Sequence, residues 1–163
     1  VKDKNDKIYL LNHYLESFRG TVFRQTMFAE FEMIINEHLE NGGALTAEYL
    51  SKTYKELNKL YYGPNVVVDD EIAIEWARIP HFYYNFYVFQ YATGFSAAVA
   101  LSKKILEEGE PAVEKYLGFL KSGSSDYPIN VLKKAGVDMT TEEPVRNAMK
   151  LFKELVDELD ELI

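Results

Sequence analysis

Apolar positions along this chain recur at spacings of three and four, the pattern of amphipathic helices rather than strands. From Asp6 to about Asn41 they run through Leu11, Leu15, Phe18 and Val22, then Phe23, Met27, Phe31 and Ile34, with no proline and with Gly20 as the only glycine. The spacing predicts one long helix. Between Val22 and Ile35 nearly every face carries a large apolar residue, as in a helix buried inside a larger body.

Asn41-Gly42-Gly43 stops that helix, and Thr46 with Glu48 opens a second, Ala47 to Tyr62, predicted to run antiparallel to the first. Gly63-Pro64-Asn65 ends it. Val66 to Pro80 combines the β-branched triplet Val66-Val67-Val68 with the acidic run Asp69-Asp70-Glu71 and is predicted to be irregular. After Pro80 a strongly apolar core helix is predicted from about Tyr83 to Glu107, where Ala92, Gly94, Ser96, Ala97, Ala98 and Ala100 permit close approach by a neighbour. Gly109 closes it. A surface helix starts at Pro111 and ends near Lys121, and a short one runs from Tyr127 to Ala135 with Gly136 as its C-cap. A Thr cap at Thr140-Thr141, with Glu142 and Glu143 in the first turn, opens a final amphipathic helix striped by Val145, Met149, Phe152, Leu155, Val156, Leu159 and Leu162. No repeat, linker or low-complexity tract interrupts the series. The expectation is an all-α, multi-helix chain in which residues 1–163 form a single helical unit.

Composition sharpens this picture. With 163 residues and 47% apolar content the chain can bury a real core. Its 12 Tyr, 10 Phe and single Trp make it rich in aromatics, and many Tyr hydroxyls need partners. A net charge of -8 argues against a nucleic-acid or anionic-membrane partner, since both call for clustered Lys and Arg. The absence of Cys removes disulfides, thiolate metal sites and Cys nucleophiles. The N-terminal VKDKNDKIYLLNHY has no apolar core followed by a small-residue cleavage site, and no apolar run reaches the roughly 20 residues that span a bilayer. The cytoplasm is the expected compartment.

The histidines are His13, His38 and His81, and none belongs to an HExxH or Glu-x-x-His pattern, so no self-contained metal site is expected. His13 and His38 fall about seven turns apart on the first predicted helix and cannot share a ligand; surface or capping roles suit them. GxGxxG, P-loop and G-x-S-x-G patterns are absent. Glu154, Asp157, Glu158, Asp160 and Glu161 occupy the outward face of the last helix, where solvation accounts for them.

One segment stands apart: Arg78-Ile79-Pro80-His81-Phe82-Tyr83-Tyr84-Asn85-Phe86-Tyr87-Val88-Phe89-Gln90-Tyr91. Pro80 breaks regular structure and leaves His81 in an entry loop, while Tyr84, Tyr87 and Tyr91 share one face of the predicted helix. A phenol, with a pKa near 10, stays protonated at neutral pH and can donate to a developing oxyanion, as can a positioned imidazole. Such a face suits carbonyl polarisation or peptide-backbone binding. The same spacing also suits an aromatic core stripe, although buried stripes more often use Phe, and the residues alone leave both open.

RIPHFYYNFYVFQYATG, preceded by LLNHYLESFRGTVFRQTMFAEFE at Leu11 to Glu32 and followed by AGVDM at Ala135 to Met139, resembles the C-terminal part of the oligoendopeptidase F family, with thimet oligopeptidase and neurolysin more distantly similar. The resemblance covers almost the whole chain. It implies a helical zinc peptidase that encloses short peptides in a channel, with two His ligands and a Glu general base on an HExxH helix and a further Glu ligand downstream. Those elements are missing here, so the chain is expected to be a C-terminal portion of a catalytic domain, inactive alone and binding no zinc itself. Its partners would be short peptides and the missing N-terminal portion of the same enzyme. The family's Tyr-x-x-Tyr pair, implied to stabilise the oxyanion and position substrate, maps onto Tyr84 and Tyr87, and its substrate-binding His onto His81, across a shorter His-to-Tyr loop than in thimet oligopeptidase. Tyr91, Arg78 and Arg19 are added as candidate substrate-binding residues. The alternative expectation is a stand-alone helical module that binds peptides or associates with itself through exposed apolar helices.

Overall fold

The computed structural model describes residues 2–163, and all regular structure among them is helical, as the apolar spacing predicts. Seven α-helices follow in chain order: α1 (Lys4–Phe18), α2 (Arg24–Glu40), α3 (Ala47–Tyr62), α4 (Phe89–Glu108), α5 (Glu110–Ser122), α6 (Pro128–Lys134) and α7 (Glu143–Asp160). The described residues pack as two compact units, one holding Arg19–Ala92, the other the chain up to Phe18 together with Thr93–Ile163.

In the Arg19–Ala92 unit, α2 enters through a π-helical turn, Arg19–Phe23, so the expected single long helix is locally widened rather than regular. Gly20 favours the departure by lacking a side chain, and Gln25 Nε2 donates to the Gly20 carbonyl at 3.3 Å where the widened turn loosens the usual pattern. Asn41 and Gly42, the latter at φ +83°, close α2. The Thr46 hydroxyl accepts from the Tyr49 N–H at 3.2 Å and caps α3 at the expected residue. Val66 to Pro80 is not wholly irregular: Asp70–Arg78 and Pro80–Tyr83 are 3₁₀ helices. The core is Met27, Phe28 and Phe31 of α2, Tyr54 and Leu57 of α3, and Ile79 and Val88 at the two ends of the segment that carries His81. Burying an apolar side chain of this size contributes about 1.5–3 kcal/mol, so each is an effective anchor. Met33 and Leu39 remain about half exposed, so the unit does not wrap α2 completely.

In the other unit, Phe18 is fully buried against Phe95 and Phe152, at ring-centroid distances of 4.8 and 5.5 Å. The small residues Ala97 and Ala100 of α4 form a core with Leu101, Ala135 and Val137, against which Tyr116 and Phe119 pack. Gly136, at φ +91°, turns the chain after α6 where few side chains are tolerated. The expected Thr cap on α7 is not formed. Thr140 and Thr141 instead donate to Asp138, to its carboxylate at 2.6 Å and its carbonyl at 2.9 Å, because a local turn offers acceptors before the helix begins.

Candidate functional site

The predicted helix from Tyr83 begins six residues late, at Phe89, because Asn85 and Phe86 adopt left-handed backbone at φ +50° and +60°. Asn tolerates that region; a bulky residue there is strained, at roughly 1–3 kcal/mol. Tyr84 and Tyr87 therefore lie on a turn and are not aligned with Tyr91 by helical spacing. Their rings converge nonetheless. His81 stands 5.9 Å from Tyr84, 6.0 Å from Tyr87 and 5.9 Å from Tyr91 between ring centroids, and the Tyr84–Tyr87 and Tyr87–Tyr91 pairs are 6.3 and 5.5 Å apart.

Anchors on the opposite side hold this arrangement. Ile79 and Val88 are buried at its ends, and between them Phe82 packs on Phe28 and Phe31 at 5.4 and 5.1 Å. With Phe82 directed inward, the tyrosines face out: Tyr84 is 57% exposed, Tyr87 39% and Tyr91 37%, so the stripe is not a packed core in this chain. Tyr91 Oη lies 3.5 Å from His81 Nε2, long for a hydrogen bond. Hydrogen bonding with Tyr87, then partial burial and the Tyr87 charge, raise the pKa of Tyr91, which keeps its hydroxyl a donor at neutral pH.

A carboxylate that sequence reasoning passed over reaches this turn from α2. Glu32, buried beside Phe31, accepts the Phe86 N–H at 2.7 Å. The available signal was an acid on an otherwise apolar helix face, which requires a partner.

The two arginines proposed from sequence are held by other groups. Arg78 bonds Glu75, and Arg19 Nη1 donates to the Tyr62 hydroxyl at 3.3 Å. Glu75 also accepts from Arg24 Nη2 at 2.7 Å and from the fully buried Tyr54 hydroxyl at 2.5 Å. Burial pushes the Glu75 pKa up, but the hydrogen bonds from Tyr54 and Arg24 and the charges of Arg24 and Arg78 outweigh it and hold the carboxyl below its ordinary value. For Tyr54, burial and the Glu75 carboxylate both push the phenol above its usual range. With Trp76 Nε1 donating to Ser51 Oγ at 3.2 Å, this network fastens the 3₁₀ helix that precedes His81 onto α2 and α3.

Among the described residues no three His, Cys, Asp or Glu side chains group as metal ligands. His38 stacks on Tyr49 at 3.9 Å, and His81 sits among phenols, so these residues do not fit a zinc site. No helix among them is long and apolar enough to cross a membrane.

The fold is similar to that of a peptidase: against the crystal structure of oligoendopeptidase-F from Enterococcus faecium the TM-score is 0.96 at 58% identity, covering 99% of this chain and 31% of that one. Residues 1–151 match Peptidase family M3, and the chain belongs to that family. It is 60% identical over 163 residues to oligopeptidase PepF of Bacillus subtilis and 52% identical over 163 residues to group B oligopeptidase PepB of Streptococcus agalactiae. All of this chain takes part in both matches, yet it spans only 24% and 27% of those relatives' lengths.

Proposed function

We propose that this chain is the part of a zinc oligoendopeptidase that contributes a Tyr/His wall to the peptide cleft, within a longer enzyme hydrolysing short peptides. The observation that carries the proposal is the convergence of three exposed phenols on His81, in a chain of peptidase family M3. Tyr84 and Tyr87 donate to the carbonyl oxygen as it gains charge in the tetrahedral transition state, and His81 binds the adjoining peptide group. Tyr91 supports Tyr87, and Arg78 and Arg19 flank the substrate path. Zinc and the general base are supplied by parts of the enzyme outside these residues, so the chain alone cleaves nothing. The absence of Cys accords with a cytoplasmic setting.

The test is Tyr84→Phe and Tyr87→Phe in the complete zinc-loaded enzyme, assayed on a quenched fluorescent peptide. Removing an oxyanion donor lowers kcat by about 10²- to 10³-fold. Near-wild-type turnover in both variants would sink the proposal.

A second reading, a peptide-binding or self-associating module without catalysis, is favoured by Val67, 86% exposed, on the rim of an open groove of about 680 Å³ lined also by Val66, Ile72 and Ile74. In the first reading the remainder of the enzyme covers such surface. The mass of the purified chain in solution, and cleavage on adding zinc, separate the two.

A further inference from the structure

We infer that Glu32 is a positioning residue for the His81–Tyr84–Tyr87 wall, fixing the left-handed turn at Asn85 and Phe86 on which both phenols are carried. The inference rests on the proposal that this wall faces substrate, and adds the element that sets its shape.

Tyr83 to Val88 contains neither Pro nor Gly and runs directly into α4, so helical continuation is the locally available alternative. The chain instead places two successive non-glycine residues at φ +50° and +60°. A phenylalanine holds such a conformation only where its surroundings over-determine it. The polar contact of that kind at Phe86 is its N–H to Glu32 Oε1 at 2.7 Å, from a side chain 2% exposed and 54 residues distant in sequence. A carboxyl oxygen accepts from a backbone N–H along a preferred direction, which apolar packing lacks. Phe82 and Val88 fix the ends of this turn through apolar packing, which sets no backbone torsion at its centre. Glu32, itself buried, supplies that missing constraint from the rigid frame of α2 and acts through the backbone that bears Tyr84 and Tyr87.

The experiment uses the full-length zinc-loaded enzyme with Glu32→Gln, Glu32→Met, Glu32→Met/Phe86→Gly and Tyr84→Phe. Glu32→Met is expected to lower kcat about 10- to 100-fold, the scale of a small misplacement, with KM changed far less. Glu32→Gln keeps a carbonyl acceptor and most of kcat. Phe86→Gly, free to adopt positive φ, restores part of the kcat lost in the Glu32→Met background. Independently of activity, the Phe86 amide is protected from hydrogen exchange in the wild type and in Glu32→Gln, and exchanges faster in Glu32→Met. Unchanged kcat in folded Glu32→Met, or loss only in proportion to the unfolded fraction, overturns the inference. If Glu32→Met does not fold, a rapidly exchanging Phe86 amide in the wild type overturns it instead. Loss in Tyr84→Phe without loss in Glu32→Met removes the positioning role and leaves the wall; activity retained in both Tyr84→Phe and Tyr87→Phe removes the wall itself.

Discussion

Replacing Glu75 with alanine removes one carboxylate and leaves three donors without their acceptor, and the cost can be built up group by group. The Tyr54 hydroxyl is fully buried and donates to Glu75 Oε2 at 2.5 Å, so its loss of an acceptor costs about 1–3 kcal/mol. The Arg24 side chain is 24% exposed and lies 4.7 Å over the Phe28 ring, so it keeps some hydration and a cation–π contact when its 2.7 Å ion pair is lost. Its contribution falls well below the roughly 3–5 kcal/mol of a fully buried broken pair. Arg78 is largely in water and adds little. The sum is about 3 kcal/mol, dominated by Tyr54. Urea unfolding of the purified chain, followed by circular dichroism, gives the value. Tyr54→Phe alone should cost about 1 kcal/mol, and the double variant should be less destabilised than the two single losses added, by about 1 kcal/mol, because the orphaned phenol is gone. Strict additivity, or a Glu75→Ala cost under about 1 kcal/mol, would refute the claim that the buried phenol sets the energetics of this network.

The same carboxylate predicts a pH dependence. Its pKa in the fold lies below the ordinary 4.5, so its stabilisation is complete above that value and is lost as pH falls from there through the folded pKa. The urea midpoint of the wild type should therefore decline more steeply below about pH 4.5 than that of Glu75→Gln, and parallel curves would contradict the assignment. For Phe82→Ala, a half-buried ring is removed from Phe28 and Phe31; we expect a loss of about 2–3 kcal/mol, below the 3–5 typical of fully buried Phe, read from the same unfolding curves. An unchanged urea midpoint would show that Phe82 does not anchor the turn.

Much of the fold was legible because it is locally encoded. Thr46 caps α3 and Tyr62 ends it where the residues indicate, and of the small residues of α4, Ser96, Ala97 and Ala100 are buried while Gly94 and Ala98 stay exposed. The failures are tertiary in origin. Nothing between Tyr83 and Val88 marks a break, and the break is held by Glu32, from a part of the sequence where no local window could see it. Spacing and resemblance both point to His81, Tyr84, Tyr87 and Tyr91, and those rings do converge, but through a turn rather than through one helical face. For Arg78 the sequence reading left out a partner: Glu75, three residues before it, binds its guanidinium, which stays largely exposed.

These misses have a common cause that bears on how the wall acquires precision. An aromatic segment on a straight helix would place its phenols at positions fixed by helical pitch, with little freedom to set their mutual distances. A turn can place them anywhere, but only if its torsions are determined from outside. Here the determination comes from two kinds of contact with the same helix. Phe82 on Phe28 and Phe31 supplies non-directional apolar attachment, and Phe86 on Glu32 supplies a directional bond. Attachment without direction would leave Tyr84 and Tyr87 close to His81 but free to reorient, and direction without attachment would leave the turn open to water. Phe28, Phe31 and Glu32 lie within about one turn of α2, so a single rigid element carries both constraints. The side chains that set this wall are therefore most concentrated on a helix that contributes none of its proposed donors.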